Sequence, residues 1–258
     1  MFAGGMRHQD QHFNESAGRA QATMLTLAAI ALVIPAAYSA LVGEVHPGGG
    51  KALSISISLV LLSVYAAFLL FSLWTHSDSF QGVDAVEHGK HSDPWPLEQS
   101  IAVLTGATVA IAWLSEILVG AIEPSAHELG LSNIFVGVFV VAILGNAAEH
   151  ATAITAAMKN RMDLSLSIAI GSSAQVALFV APLLVLASLV VGPQPMDLLF
   201  GKGLVLAVLL AVLITGQVAG DGRSNWLKGV QLLAVYLILG LASFSFHRSS
   251  DHWVSLLR

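Results

Sequence analysis

The sequence predicts an all-α protein, a polytopic transmembrane helical bundle of about seven spans. Three observations carry that prediction. The 258 residues are 55% hydrophobic and only 10% charged, with a mean hydropathy of +0.77, where a soluble domain carries about 25% charged residues. Apolar runs long enough to cross the hydrocarbon layer, roughly 20 residues each, recur along the chain. Two of those runs are interrupted by polar clusters at mid-depth, GNAAEH at 145–150 and GSSAQ at 171–175.

The spans are expected at about 23–43, 52–74, 100–122, 134–158, 164–191, 199–218 and 227–246. The segment before them, MFAGGMRHQDQHFNESAGRA, is polar where a signal peptide needs an apolar core, so insertion is expected to rely on the spans themselves. Pro35 sits in the middle of the first span, where it frees a carbonyl and is predicted to kink the helix. The glycines at 48–50 form a turn before the second span. Residues 75–99 make the longest polar loop, rich in acid and His, and are expected to join two bundles. His76, His88 and His91 have no close fixed spacing, so a solvated loop is the better reading than a metal site. The organisation expected is a cytoplasmic segment over 1–22, two helices over 23–74, the loop, five helices over 100–246 and a tail over 247–258.

Basic residues are distributed unevenly between the two ends of such a bundle. Arg7, Arg19, Lys90, Lys159, Arg161, Arg223 and Lys228 fall on the side of the N-terminus, against Lys51, Lys202, Arg248 and Arg258 on the other. The positive-inside tendency therefore puts the N-terminus and the acidic loop in the cytoplasm. The net charge of −5 gives no sign of a nucleic-acid partner, and the absence of Cys excludes disulfides, thiolate metal sites and Cys nucleophiles. The absence of Cys and the short loops fit a bacterial inner membrane, with a vacuolar-type membrane as the alternative.

The stretch 134–189 holds the chemistry. Its only Lys, Arg or Asp residues lie in the connecting turn KNRMD at 159–163, whereas Glu149 falls within an apolar run. An acid at membrane depth is costly and usually faces a partner or a pathway. Asn146 and Glu149 are three apart, as are Ser172 and Gln175, so on unbroken helices each pair shares a face. Neighbouring helices would then bring a carboxylate, two amide carbonyls and a hydroxyl to one point, an oxygen set suited to Ca²⁺ or a similar hard cation. Gly137, Gly145 and Gly171 allow close helix packing or a break that exposes carbonyls. One carboxylate does not neutralise a divalent cation, and Glu116, deep in the third span, is the expected second acid. His150 points about 100° away from Glu149 on an ideal helix, where it either tunes the Glu149 proton or bonds a neighbouring helix. Glu123 and Glu128 read as interfacial, and Asp197 and Asp221 as turn formers beside Pro and Gly. No HExxH, G-x-S-x-G or phosphate-binding glycine loop occurs, so the chain is not read as an enzyme and no cofactor is expected.

The string GNAAEHATAITAAMKNRMDLSLSIAIGSSAQVALFVAPLLVL closely resembles the second signature repeat of the calcium/proton antiporter (CAX) family, within the calcium/cation antiporter superfamily. The resemblance extends upstream to SEILV around Glu116, to GLSNIFVG at 130–137 and to GGMRHQDQHFN at 4–14. It implies Ca²⁺ binding at Asn146, Glu149, Ser172 and Gln175, with Glu116 as an accessory acid on the ion path and Ca²⁺ and H⁺ as the transported ions. It also implies two inverted repeats with the ion site at their interface, of which this chain carries the second cluster and the end of the first repeat. Either the sequence is a truncated part that does not transport alone, or a second copy or another chain supplies the missing helices.

Overall fold

The structure, a computed structural model, describes residues 1–42, 49–75, 96–128, 136–192 and 195–256. The expected loop with His76, His88, Lys90 and His91 lies outside these residues except at its ends, as do 129–135 and Arg258; the side chains of Glu123, Lys202 and Arg248 are likewise undescribed.

Helices dominate because hydrocarbon offers no partner to a free N–H or C=O, and a helix satisfies both internally. A short α1 (Phe2–Arg7) and a two-residue β1 (Gln11–His12) precede α2 (Glu15–Val42). Asn14 Oδ1 accepts the Ala17 N–H at 3.1 Å and so caps the start of α2, which then runs through Pro35 without interruption. Next come α3 (Gly49–Leu70) with a π-helical end over Phe71–Thr75, and α4 (Leu97–Glu128). A π segment, Val136–Val141, leads into α5 (Ala142–Gly145) and α6 (Ala147–Met158). A tight turn at Asn160, with φ 61°, joins α6 to α7 (Met162–Gln175). A second π segment, Val176–Val180, continues into α8 (Ala181–Ala187). The chain ends with α9 (Lys202–Ala219), β2 (Arg223–Ser224) and α10 (Trp226–Leu256).

Among the described residues, 4 helical stretches are long and apolar enough to span a bilayer: Glu15–Leu41, Gly49–Thr75, Leu97–Ala126 and Met162–Ala187. Gly203–Ala219 and Trp226–Ala242 are shorter apolar helices at the sixth and seventh expected spans. The fourth expected span, 134–158, is built differently. Its described part is a π segment, one turn of α-helix, a break at Asn146 and a 12-residue helix.

The chain divides into two compact units, one of Met1–Gly82 with Ala147–Leu239 and one of Val83–Asn146 with Gly240–Arg258. In the first, α2 packs on α9, α7 and α3, while α6 packs on α7 and α3 on α8. Small residues let these helices approach: Ala22, Ala28 and Ala31 of α2 are buried together with Leu25, Leu61, Met162, Leu166, Ile170 and Leu178. In the second unit, α4 carries apolar side chains such as Ile111, Trp113 and Leu114 that are exposed, as suits a helix facing lipid.

One end of the first unit is tied together by the segment before α2. β1 pairs antiparallel with β2, Gln11 opposite Ser224 and His12 opposite Arg223. Gln11, 1% exposed, donates from Nε2 to the Ala157 carbonyl at 2.8 Å and to Asn160 Oδ1 at 3.1 Å. Arg19 donates to the Gly220 carbonyl from Nε and Nη2 at 3.1 and 3.0 Å. These bonds gather the N-terminal segment, the 159–161 turn and the 220–225 turn on one face. Arg7, Arg19, Lys159, Arg161, Arg223 and Lys228, grouped on one side by the charge pattern, all belong to these segments or the helix ends beside them.

Candidate functional site

Glu149 lies in the first turn of α6, Ser172 and Gln175 in the last turn of α7, and the packing of α6 on α7 brings them to one cavity of about 410 Å³. Glu149 and Gln175 are exposed to it and Ser172 is half-buried. Gly171 lies on the same wall. A Cβ added at Gly145 or Gly171 would meet nothing within 4 Å among the described residues. Close helix packing is therefore not what these glycines provide here; Gly171 leaves room in the cavity wall, and Gly145 precedes the helix break.

Asn146 corrects one expectation. The i, i+3 relation with Glu149 presumes an unbroken helix, and the backbone leaves the helix at Asn146, with φ −104° and ψ 15°. Its Nδ2 donates to the Ala142 carbonyl at 3.0 Å, so the side chain closes the end of α5 and the amide oxygen is left for other partners. Asn146 ends the first stretch of its compact unit, Val83–Asn146, and Glu149 belongs to the other unit. The relation expected between Ser172 and Gln175 holds, because both lie within α7.

The two clusters each split between two faces. Glu149 and Ser172 line the first cavity, whereas His150 and Ser173, one residue further on, line a second, largely apolar cavity of about 690 Å³ with Leu166, Ile170 and Tyr236. The step of about 100° per residue on a helix accounts for this division. Ser173 Oγ is committed to the Ala169 carbonyl at 3.0 Å, while Ser172 Oγ reaches the same carbonyl only at 3.5 Å and is held loosely. His150 is thus a neighbour of Glu149 in sequence that faces another space.

Four polar residues of the cavity wall carry no sequence signal of their own: Gln21, Tyr65, Ser72 and Ser167. Gln21 and Tyr65 come from α2 and α3, far from the clusters in sequence, and only the tertiary packing brings them there. Tyr65 stacks on Phe179 with ring centroids 5.4 Å apart, which holds α3 against the π segment that follows Gln175. Single π turns within α-helices often mark functional sites. Glu149 is the one carboxylate among the lining residues, and the other polar groups are neutral oxygen or amide donors and acceptors. Glu116 lies on α4 in the other unit and is exposed. Asp197 and Asp221 are turn formers, accepting the Leu199 and Arg223 N–H at 3.1 and 3.3 Å.

Long apolar helices, a helix broken beside a polar cluster and a cavity containing one acid and several neutral polar side chains together define an integral membrane protein of the kind that handles ions. The model of the sodium/calcium exchanger protein family matches residues 99–244. A Ca(2+)/H(+) antiporter of Aphanothece halophytica is 42% identical over 259 residues, covering 96% of this chain and 69% of the relative. The Ca(2+)/H(+) antiporter ChaA of Bacillus subtilis is 40% identical, with 94% of this chain and 69% of the relative covered. The solved structure of native YfkE superposes with a TM-score of 0.75 at 38% identity, covering 94% of this chain and 68% of that one. The chain belongs to the sodium/calcium exchanger protein family.

Proposed function

We propose that this chain exchanges Ca²⁺, or a similar divalent cation, for H⁺ across a membrane by secondary active transport. The observation that carries the reading is the convergence of Glu149, Ser172 and Gln175 on one cavity, in a chain whose relatives are named Ca(2+)/H(+) antiporters. Glu149 binds the cation when deprotonated and releases it when protonated. Ion and proton cannot occupy one carboxylate together, and that exclusion is the simplest form of coupling. Ser172 and Gln175 replace part of the hydration shell with neutral oxygens, as hard cations require. Asn146, at the break between α5 and α6, supplies a further amide oxygen; broken helices are the usual place for such ligands in transporters.

Glu116 acts as the accessory acid, since the single charge of Glu149 leaves a divalent cation half-neutralised. His150, next to Glu149 in the chain, takes part in the proton pathway from the second cavity, which it lines. The work done is alternating access of one site to the two sides, with no covalent step. The membrane is a bacterial inner membrane, with the N-terminal segment and its basic cluster in the cytoplasm.

The test is Ca²⁺ uptake into proteoliposomes containing the purified chain, with and without an imposed pH gradient. The reading requires uptake that follows the gradient and reverses with it. Uptake indifferent to the gradient would contradict it.

A further inference from the structure

The Glu149 cavity contains a second polar pair that neither signature cluster supplies. Gln21 is only 7% exposed, and its Nε2 donates to Ser167 Oγ at 3.3 Å. The nitrogen and oxygen of an amide point apart, so this bond turns Gln21 Oε1 away from Ser167. Among the described residues Gln21 Oε1 has no hydrogen-bond donor, yet it is not one of the unpartnered side-chain atoms that are sealed off from solvent, which are Gln11 Oε1 and Ser224 Oγ. A nearly buried carbonyl oxygen is thus left without a donor on a residue that, with Ser167, lines the cavity. Buried carbonyls are normally paired, so an unpaired one points to a partner that comes and goes.

The position of this pair along the helices is informative. At about 1.5 Å per residue, Gln21 is about 9 Å from the start of α2 and Ser167 about 8 Å from the start of α7. Glu149 is about 14 Å from the Met158 end of α6, and Ser172 and Gln175 are about 15 and 20 Å along α7. All three helix ends are on the face tied by the N-terminal segment. Gln21 and Ser167 therefore lie between that face and Glu149. Ser72, near the end of α3, lines the same cavity.

We propose that Gln21, its amide oriented by the bond to Ser167, forms an outer cation station on the route between the N-terminal face and Glu149, with Gln21 Oε1 as the neutral ligand. The proposal rests on the reading of this cavity as the cation path. A cation leaving water gives up its shell in steps, and uncharged oxygens replace water without trapping the ion. Because neither group titrates, the station leaves proton competition to Glu149 alone.

The experiment is equilibrium Ca²⁺ binding to the purified full chain in detergent at about pH 8, where an ordinary carboxyl is ionised. Parent, Gln21→Leu, Gln21→Glu and Glu149→Gln are compared. Glu149→Gln removes binding if the cavity is the cation site. The station further requires Gln21→Leu to weaken Ca²⁺ about tenfold, the scale of one good ligand contact, and Gln21→Glu to tighten it. Equal affinity in the parent and both Gln21 variants, with Glu149→Gln still removing binding, overturns the station and leaves the Glu149 site standing. Equal weakening by Leu and Glu overturns it too, since that marks a merely structural side chain. Binding that survives Glu149→Gln overturns the reading of the cavity, and the station with it. Should Gln21→Leu fail to fold, Ser167→Ala replaces it, and unchanged affinity there counts against the station.

Discussion

Asp163 Oδ1 accepts the backbone N–H of Asn14 at 2.6 Å, a charge-assisted bond from the first turn of α7 to the residue that caps α2. It ties the segment before α2 to the helix carrying Ser172 and Gln175. Asp163→Asn removes the charge both from this bond and from the positive end of the α7 dipole, and is expected to cost about 1–3 kcal/mol. Asn14→Ala, which removes the cap, is expected to cost about 1 kcal/mol. Thermal unfolding in detergent measures both; an unchanged midpoint in Asp163→Asn would show that the tie contributes nothing.

The docking of α1 depends on backbones that approach too closely for a side chain. A Cβ on Gly5 would collide with the backbone of Trp226, and one on Gly229 with the backbone of Phe2. Gly229→Ala is expected to release the N-terminal segment, destabilising the protein by several kcal/mol at about the scale of overpacking. Limited proteolysis between residues 1 and 14 should become at least tenfold faster, on the order of what that loss permits. Cleavage at the parent rate would contradict the close approach.

How much of this was legible in the sequence differs from element to element, for physical reasons. The spans were legible because hydrocarbon demands long uncharged helices, and runs such as 52–74 meet that demand locally. Glu149, Ser172 and Gln175 stood out because polar groups are rare in such runs. The break at Asn146 was only hinted at by Gly145, since helix geometry alone favours continuation. Gln21 and Ser167 were not legible at all: their meeting depends on the packing of α2 against α7, which no local pattern encodes. The same holds for β1 and β2, two strands of two residues each from opposite ends of the chain.

Asp221 provides a pH-dependent contact outside the membrane-spanning helices. Its hydrogen bond from Lys228 holds the carboxyl below its ordinary value of 3.8, against a smaller opposing effect of burial. A carboxyl depressed in the folded state stabilises the fold above the unfolded value and loses that contribution as pH falls through the folded one. The pair is partly exposed, so the gain is below about 1 kcal/mol. Asp221→Asn should unfold slightly earlier than the parent at neutral pH, and the difference should begin to shrink below pH 3.8 and close once the pH is below the depressed folded value. A difference that persists below the folded value would have another cause.

Glu116 is exposed on α4. As accessory acid, its neutralisation by Glu116→Gln should slow pH-driven Ca²⁺ uptake about tenfold or move the pH optimum by about one unit. An unchanged rate and an unchanged profile would return Glu116 to a structural role.

The most direct measurement is of protons released when Ca²⁺ is added to the purified chain in weakly buffered detergent solution, for the parent and for Glu149→Gln. Competition for one carboxylate predicts Ca²⁺-dependent release in the parent, on the order of one proton per ion at a pH where Glu149 is partly protonated, and none in the variant. Release of the same size from Glu149→Gln would contradict the claim that Glu149 is the group shared by ion and proton.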